Sequence, residues 1–352
     1  MNNVSSHFSR GLSIALAIAG LGAGITAIAS KPPEEGHMPP LDGAVTWLNS
    51  APLGNKSLRG KVVLVNFWTY SCINSLRELP YLKAWAARYK DDGLVVIGVH
   101  TPEFGFEGEP VNVRRAVAGL GLTFPVAIDS NRSIWDEFSN QYWPANYFVD
   151  GKGRIRYRHF GEGDYEQSEN VIRELLHETG AVVPNDDNVH PMATGPEAPS
   201  SHDVRSPETY AGYLQAVHFA SPQKFASDSL RPYSLPLSLQ LNDWGLAGVW
   251  KVGPEHAELR GAEGRIRFRF HARDLHMVLG PAKDGRAIRF RITVDGEAPA
   301  DDRGSDTGPD GAGEIHEPRM YQLIRQNGPV RDRTFEIEFL DLGAQVFSFT
   351  FG

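Results

Sequence analysis

The chain has a single cysteine, Cys72, among 352 residues. An intramolecular disulfide is therefore impossible, and so is a cysteine-rich zinc site. Hydrophobic packing has to hold the fold. Positive charge is also short. Lysines and arginines number 35 against 43 acids, and the net charge is −8. No basic run offsets that balance, so nucleic acid is not expected as a partner. Long apolar runs are scarce too. One stands out at residues 11–29, behind a short polar segment with His7 and Arg10, and it ends in Ala27-Ile28-Ala29. This is the pattern of an export signal with a small-x-small cleavage site, residues 1–29; an uncleaved N-terminal anchor is the alternative. Either reading places the bulk of the chain outside the cytoplasm, in a periplasmic setting.

What remains has an ordinary globular composition, 41% hydrophobic and 22% charged. Its length suits two domains. Residues 30–40 read as a spacer. From 41 to 180 strand and helix patterns alternate. Residues 62–68 (VVLVNFW) suit a strand buried on both faces. Residues 75–90 have helical spacing, with Leu76, Leu79, Leu82, Trp85 and Ala86 on one side. A second buried strand is expected over 94–99, helices over 111–120, 133–142 and 164–178, and a short strand over 124–128. A hairpin is expected from 146–149 to 154–160 across a Gly-rich turn. Residues 181–209 lack periodicity and read as a linker. From 210 to 352 the period becomes two. Ile266, Phe268 and Phe270 alternate with arginines, and Phe347, Phe349 and Phe351 alternate with Ser348 and Thr350. Many half-buried antiparallel strands imply a β-sandwich of jelly-roll type. Residues 295–313 read as one long loop.

Cys72 lies between a buried strand and a helix. Unpaired N–H groups and the dipole at a helix N-terminus favour an anion, so a thiol there is expected to have a lowered pKa and react as thiolate. A small buried residue without chemistry is the plain alternative.

The segment LVNFWTYSCINS (64–75) resembles the active-site stretch of the thioredoxin superfamily, with Pro80 at the family's spacing inside the following helix. YWPANYFVD (142–150) resembles its cis-proline loop, which makes Pro144 the cis residue. FWTYSCIN, VIGVHTPEF, YWPANY, FGEGDY, ETYAGY, RMYQLIRQ and VFSFTFG follow in order over residues 40–352. Together they resemble the extracytoplasmic C-terminal region of DipZ-type thiol-disulfide proteins, within the TlpA and redoxin group. The resemblance implies an α/β thioredoxin-like fold followed by a β-domain like a carbohydrate-binding module. It implies Cys72 and Pro144 as catalytic positions, and Trp143, Tyr70 and Ser71 as substrate contacts. It implies an electron supply that is missing here or lies on another protein, and no cofactor.

Two departures narrow the chemistry. The family's Cys-x-x-Cys is Cys72-Ile73-Asn74-Ser75 here, and the family's buried acid six residues earlier is Asn66. The acid and the cysteine it serves are lost together, which points to a natural monothiol site rather than an engineered Cys→Ser exchange. A lone thiol can open a substrate disulfide but needs an outside thiol to finish. Ser75 can hydrogen-bond the sulfur, and Glu103, after the second buried strand and near His100, is a candidate proton acceptor. The expected partners are a disulfide-containing or oxidised protein and an external thiol or redox protein, with glycan possible at the β-domain.

Two other functions stay open. Thr69-Tyr70-Ser71-Cys72 has the T-x-x-C spacing of a one-cysteine peroxidase, although Val65 stands where peroxiredoxins have proline. A non-catalytic binding protein would use aromatics exposed on the sandwich, with Trp244, Trp250 and Tyr321 as candidates. His218, His256, His271, His276 and His316 read as surface or loop residues, and Asp301, Asp302, Asp306 and Asp310 as a solvated acidic loop. No metal site is expected.

Overall fold

The apolar run at 62–68 is buried along its whole length and forms the centre of the first sheet. The computed structural model describes residues 34–183 and 187–352. The export-signal reading of residues 1–29 and the start of the spacer lie outside the described residues. The first part runs β1 (Gly36–His37), β2 (Thr46–Leu48), β3 (Val62–Trp68), α1 (Ile73–Tyr89), β4 (Leu94–His100), α2 (Pro110–Gly119), β5 (Val126–Ile128), α3 (Ser133–Glu137), β6 (Ala145–Val149), β7 (Arg154–Phe160) and α4 (Tyr165–Glu178). The strands form one mixed sheet in the order β1-β7-β6-β3-β4-β5-β2.

Successive side chains of a strand point to opposite faces, so β3 feeds two cores. Leu64 and Trp68 pack with Leu76, Leu79, Leu82 and Trp85 of α1 and with Ile172 and Leu175 of α4. Val63, Val65 and Phe67 pack on the other face with Ile134, Trp135 and Phe138. This is the α/β thioredoxin-like arrangement. The spacer is partly structural, since β1 pairs with β7 and Met38 is buried. The helix expected over 133–142 stops at Glu137. Ser139 takes a positive φ of 49°, and Asn140 Nδ2 donates to the Tyr142 carbonyl at 3.0 Å, turning the chain toward Pro144.

The second part contains β8 (Thr209–Tyr210), β9 (Leu230–Tyr233), β10 (Trp244–Val252), β11 (Ala257–Leu259), β12 (Gly264–Phe270), β13 (Asp274–Gly280), β14 (Ile288–Val294), β15 (Ala312–Ile315), β16 (Arg319–Arg325), β17 (Arg333–Phe339) and β18 (Gln345–Phe351). All pairings between these strands are antiparallel. Strand β10 belongs to both layers. Trp244–Ala247 pair with β12, and Gly248–Val252 pair with β9 and β11. The change occurs at Gly248, whose φ of +97° a side chain would resist. Phe268 and Phe349, from opposite layers, meet with ring centroids 4.8 Å apart. The result is a β-sandwich closed along one shared strand. The loop expected over 295–313 contains a 3₁₀ turn at Ala300–Asp302 and the start of β15.

The two parts share a core. Strand β13 is buried on both faces, and β18 nearly so. Leu275, Met277 and Leu279 fill the sandwich, whereas Val278, Met320 and Phe347 pack into the α1 core. The expected linker is pinned along this seam. Lys83 Nζ meets Glu197 at 2.8 Å, and Arg325 Nη1 donates to the Gly195 carbonyl at 3.1 Å. Among the described residues no helix is long and apolar enough to cross a membrane.

Candidate redox site

Strand β3 ends at Trp68, and four residues later Cys72 caps α1 with an extended backbone. Its Sγ lies 3.9 Å from the Trp143 carbonyl, and the Trp143–Pro144 bond is cis. Trp143 is held from three sides. Its Nε1 donates to the Thr101 carbonyl at 3.1 Å, its ring lies 4.2 Å from that of Trp135, and the Arg132 guanidinium sits over it. Cys72 is half-buried. Ser75 is buried one turn into the helix. Its hydroxyl hydrogen-bonds the Cys72 sulfur and accepts from the Thr69 amide at 3.5 Å.

The electrostatics reverse the lowered pKa expected for Cys72. Burial pushes the thiol up, and the carboxylates of Glu103 and Glu208 push it further, while hydrogen bonds from Ser75 oppose them only in part. The helix N-terminus does not outweigh desolvation and two nearby negative charges. Glu103 is on the loop after β4, as its place at the strand's carboxyl end suggested. Tyr210 Oη donates to Glu103 Oε1 at 2.5 Å. Burial raises both carboxyl pKa values; the charges of Glu208 and Glu107 add to the rise of Glu103, and that of Glu107 to the rise of Glu208.

A second acid organises the loop before Cys72. Glu107 is fully buried and accepts from the hydroxyls of Thr69 and Ser71, and from the amides of Glu103 at 2.6 Å and Phe104 at 3.0 Å. Ser71 is therefore turned inward. Tyr70 is buried as well, stacked on His100 at 5.3 Å and near Phe106. Neither side chain is offered to solvent, because the β-sandwich covers this side of the loop. Burial lowers His100 to about 3, so its ring is neutral near pH 7. The T-x-x-C hydroxyl, Thr69 Oγ1, donates to Glu107 at 2.5 Å.

The third acid corrects a sequence expectation. The buried carboxylate missing at Asn66 is supplied by Glu78, one turn after Ser75 on α1. It accepts from Asn66 Nδ2 at 2.8 Å and Asn146 Nδ2 at 2.5 Å, and burial pushes it up to about 8. The acid is displaced from strand to helix, so the paired-loss argument about Ser75 falls. Its sequence signal was the i, i+3 spacing from Ser75. Glu107 had no such signal. Glu208 and Tyr210 lie far from Cys72 in sequence and reach it only through the sandwich.

The β-domain candidates resolve differently. Trp244, Trp250 and Tyr321 are core residues, not an exposed platform. His276 is fully buried, and His271 is buried between Asp203 and Asp332. Asp302 and Asp306 are paired with Arg333 and Arg319. Among the described residues no group of three ligating side chains could hold a metal.

Models of two families match. The AhpC/TSA family matches residues 46–158, and the thioredoxin-like C-terminal domain matches 206–352. The thiol-disulfide oxidoreductase YkuV of Bacillus subtilis is 30% identical over 142 residues, 40% of this chain and 95% of its own length. The chain belongs to the thioredoxin-like thiol-disulfide oxidoreductases. A second member, protein DipZ of Mycobacterium bovis, is 37% identical over 328 residues, 90% of this chain. The match spans 43% of DipZ, so the chain covers less than half of that relative. Among solved structures, a thioredoxin-like protein in its oxidised form is 30% identical, with a TM-score of 0.38 over 41% of this chain and 96% of its own.

Proposed function

We propose that the chain is an exported monothiol thiol-disulfide oxidoreductase or isomerase that works through a mixed disulfide at Cys72. The observation that carries this is Ser75, buried in the first turn of α1 and hydrogen-bonded to the sulfur of the chain's single cysteine. A hydroxyl cannot displace a thiolate from a disulfide, so the intermediate waits for a second molecule.

In the first step the Cys72 thiol gives its proton to Glu103 and its sulfur attacks the substrate disulfide. The substrate S–S bond breaks, a Cys72–substrate disulfide forms, and the leaving thiolate takes a proton. An external thiol then attacks the mixed disulfide, releases the Cys72 thiol and carries the oxidising equivalent away. If that thiol belongs to the same substrate, the net result is isomerisation. The Trp143 backbone beside Sγ, held next to Pro144, is the pairing site for the incoming chain. The apolar run at 11–29 supports export to the periplasm, where disulfide substrates persist.

The test uses a glutathionylated peptide followed by intact mass. One adduct on Cys72 is expected, stable until an external thiol is added. Cys72→Ser should form none. Ser75→Cys should release the adduct unaided, because it places a resolving thiol one turn away. Absence of any adduct on Cys72 would overturn the reading.

A further inference from the structure

We propose that a cavity beside the seam is a binding site for a small, uncharged, largely apolar molecule, held through one acceptor oxygen by the Tyr70 hydroxyl. This goes beyond the exchange chemistry at Cys72 and does not depend on it.

The cavity has a volume of about 420 Å³ and is bounded by three parts of the chain. Leu76 of α1, Ala116 of α2 and Leu120 just after it come from the redox fold. Pro196 comes from the segment at 181–209, and Pro318 and Met320 from the sandwich. The lining is therefore largely apolar. A space of this size with apolar walls and a few placed polar groups is what a small-molecule site requires.

The polar groups decide the ligand. Arg115 pairs with Glu317 at 3.0 Å, Arg319 with Asp306 at 2.7 Å, and Glu197 with Lys83 at 2.8 Å. Each of these charges already has its counter-charge. An ionic group brought in from water would lose hydration without gaining a free partner. Tyr70 is different. It lines the cavity, is 5% exposed, and its Oη is buried with no hydrogen-bond partner among the described residues. Buried polar groups are normally satisfied, and an exception calls for a partner from outside the chain. Burial keeps the phenol protonated, so Oη is a donor that lacks an acceptor. The ring is not free to swing toward one elsewhere. It is stacked on His100 at 5.3 Å and lies 6.1 Å from Phe106. A carbonyl or ether oxygen on an apolar body supplies what the site lacks. Tyr70, which the family resemblance implied as a contact of the disulfide substrate, serves a separate ligand on this reading.

The experiment titrates the full chain with prodan, an uncharged flat ketone. Its emission moves to the blue in an apolar site and to the red when its carbonyl accepts a hydrogen bond. The wild type should show saturable one-site binding with blue-shifted emission. Tyr70→Phe keeps the ring and removes only the donor. It should weaken binding about tenfold, as for one lost hydrogen bond, and move the bound emission further to the blue. Gly119→Trp is the second variant. Gly119 lines the cavity at the end of α2, and a Cβ there would meet open space, so a large side chain can enter without displacing its neighbours. It should abolish binding while circular dichroism stays that of the wild type. Absence of saturable binding to the wild type, or undiminished binding to Gly119→Trp, overturns the site. Equal affinity and unchanged emission in Tyr70→Phe overturn the role of its hydroxyl. The readout is probe emission, so the outcome stands apart from adduct formation at Cys72.

Discussion

At Cys72, burial and then the charges of Glu103 and Glu208 push the thiol pKa up, against the pull of the helix end. Three acids sit on the loop and helix next to Cys72, each with a different partner set. Glu103 accepts from Tyr210, Glu107 ties the preceding loop together, and Glu78 lies one turn after Ser75 between two asparagines. Glu78 offers a clean stability prediction. Its folded pKa of about 8 is raised above the ordinary carboxyl value by burial. The folded state therefore holds this proton more tightly than the unfolded one. The stability it contributes is complete below about pH 4.5 and is lost as pH rises toward 8. Glu78→Gln keeps the volume and cannot ionise, and the Asn66 and Asn146 amides can rotate to pair with it. Its stability relative to wild type should rise between pH 5 and 8 by up to about 1.4 kcal/mol per pH unit. Urea unfolding at a series of pH values measures this; parallel curves for the two proteins would refute it.

Strand β18 shows how one element serves two cores. Its alternation of Phe with Ser and Thr reads as a strand with one wet face. Phe349 and Phe351 do enter the sandwich, but Ser348 and Thr350 are buried too, because α1 and its loop cover the other face. Phe347 crosses to that side and meets Phe106 at 4.7 Å and Phe104 at 5.3 Å. These are the loop residues next to Glu103 and Glu107. Phe347→Ala should cost about 3–5 kcal/mol as a large core truncation. It should also loosen the loop that aims Glu103, so urea unfolding and adduct formation at Cys72 should both be impaired. A loss of stability with an unchanged adduct rate would show that the loop holds itself. Elsewhere β12 and β17 behave as their patterns say. Arg267 lies opposite Glu336 and pairs with it at 2.6 Å, on a face that water reaches. The difference lies in the cover, which strand periodicity does not encode.

At the scale of the whole molecule, the redox fold and the sandwich are joined by a continuous apolar seam and by Tyr210 within the site. A tethered module would unfold on its own; a shared core does not allow that. Heating should give one cooperative transition reported alike by tryptophans of both parts, Trp85 and Trp250 among them. Two separated transitions in calorimetry would contradict the shared core. Much of this was legible beforehand. The run at 62–68, the amphipathic spacing of 75–90, the cysteine at the strand–helix junction and Pro144 were local signals, and local sequence carries backbone periodicity and turn chemistry directly. The lone cysteine by itself ruled out a disulfide, and Ser75 by itself ruled out internal resolution. The sign of the Cys72 pKa shift, the carboxylate from Glu78, the inward turn of Tyr70 and Ser71 and the burial of Trp244, Trp250 and Tyr321 came only with tertiary structure. Desolvation and charge depend on everything packed around a group, and Glu208 and Tyr210 reach Cys72 from a distant part of the chain. Sequence settled which atoms could react; packing decided their proton affinities and their neighbours.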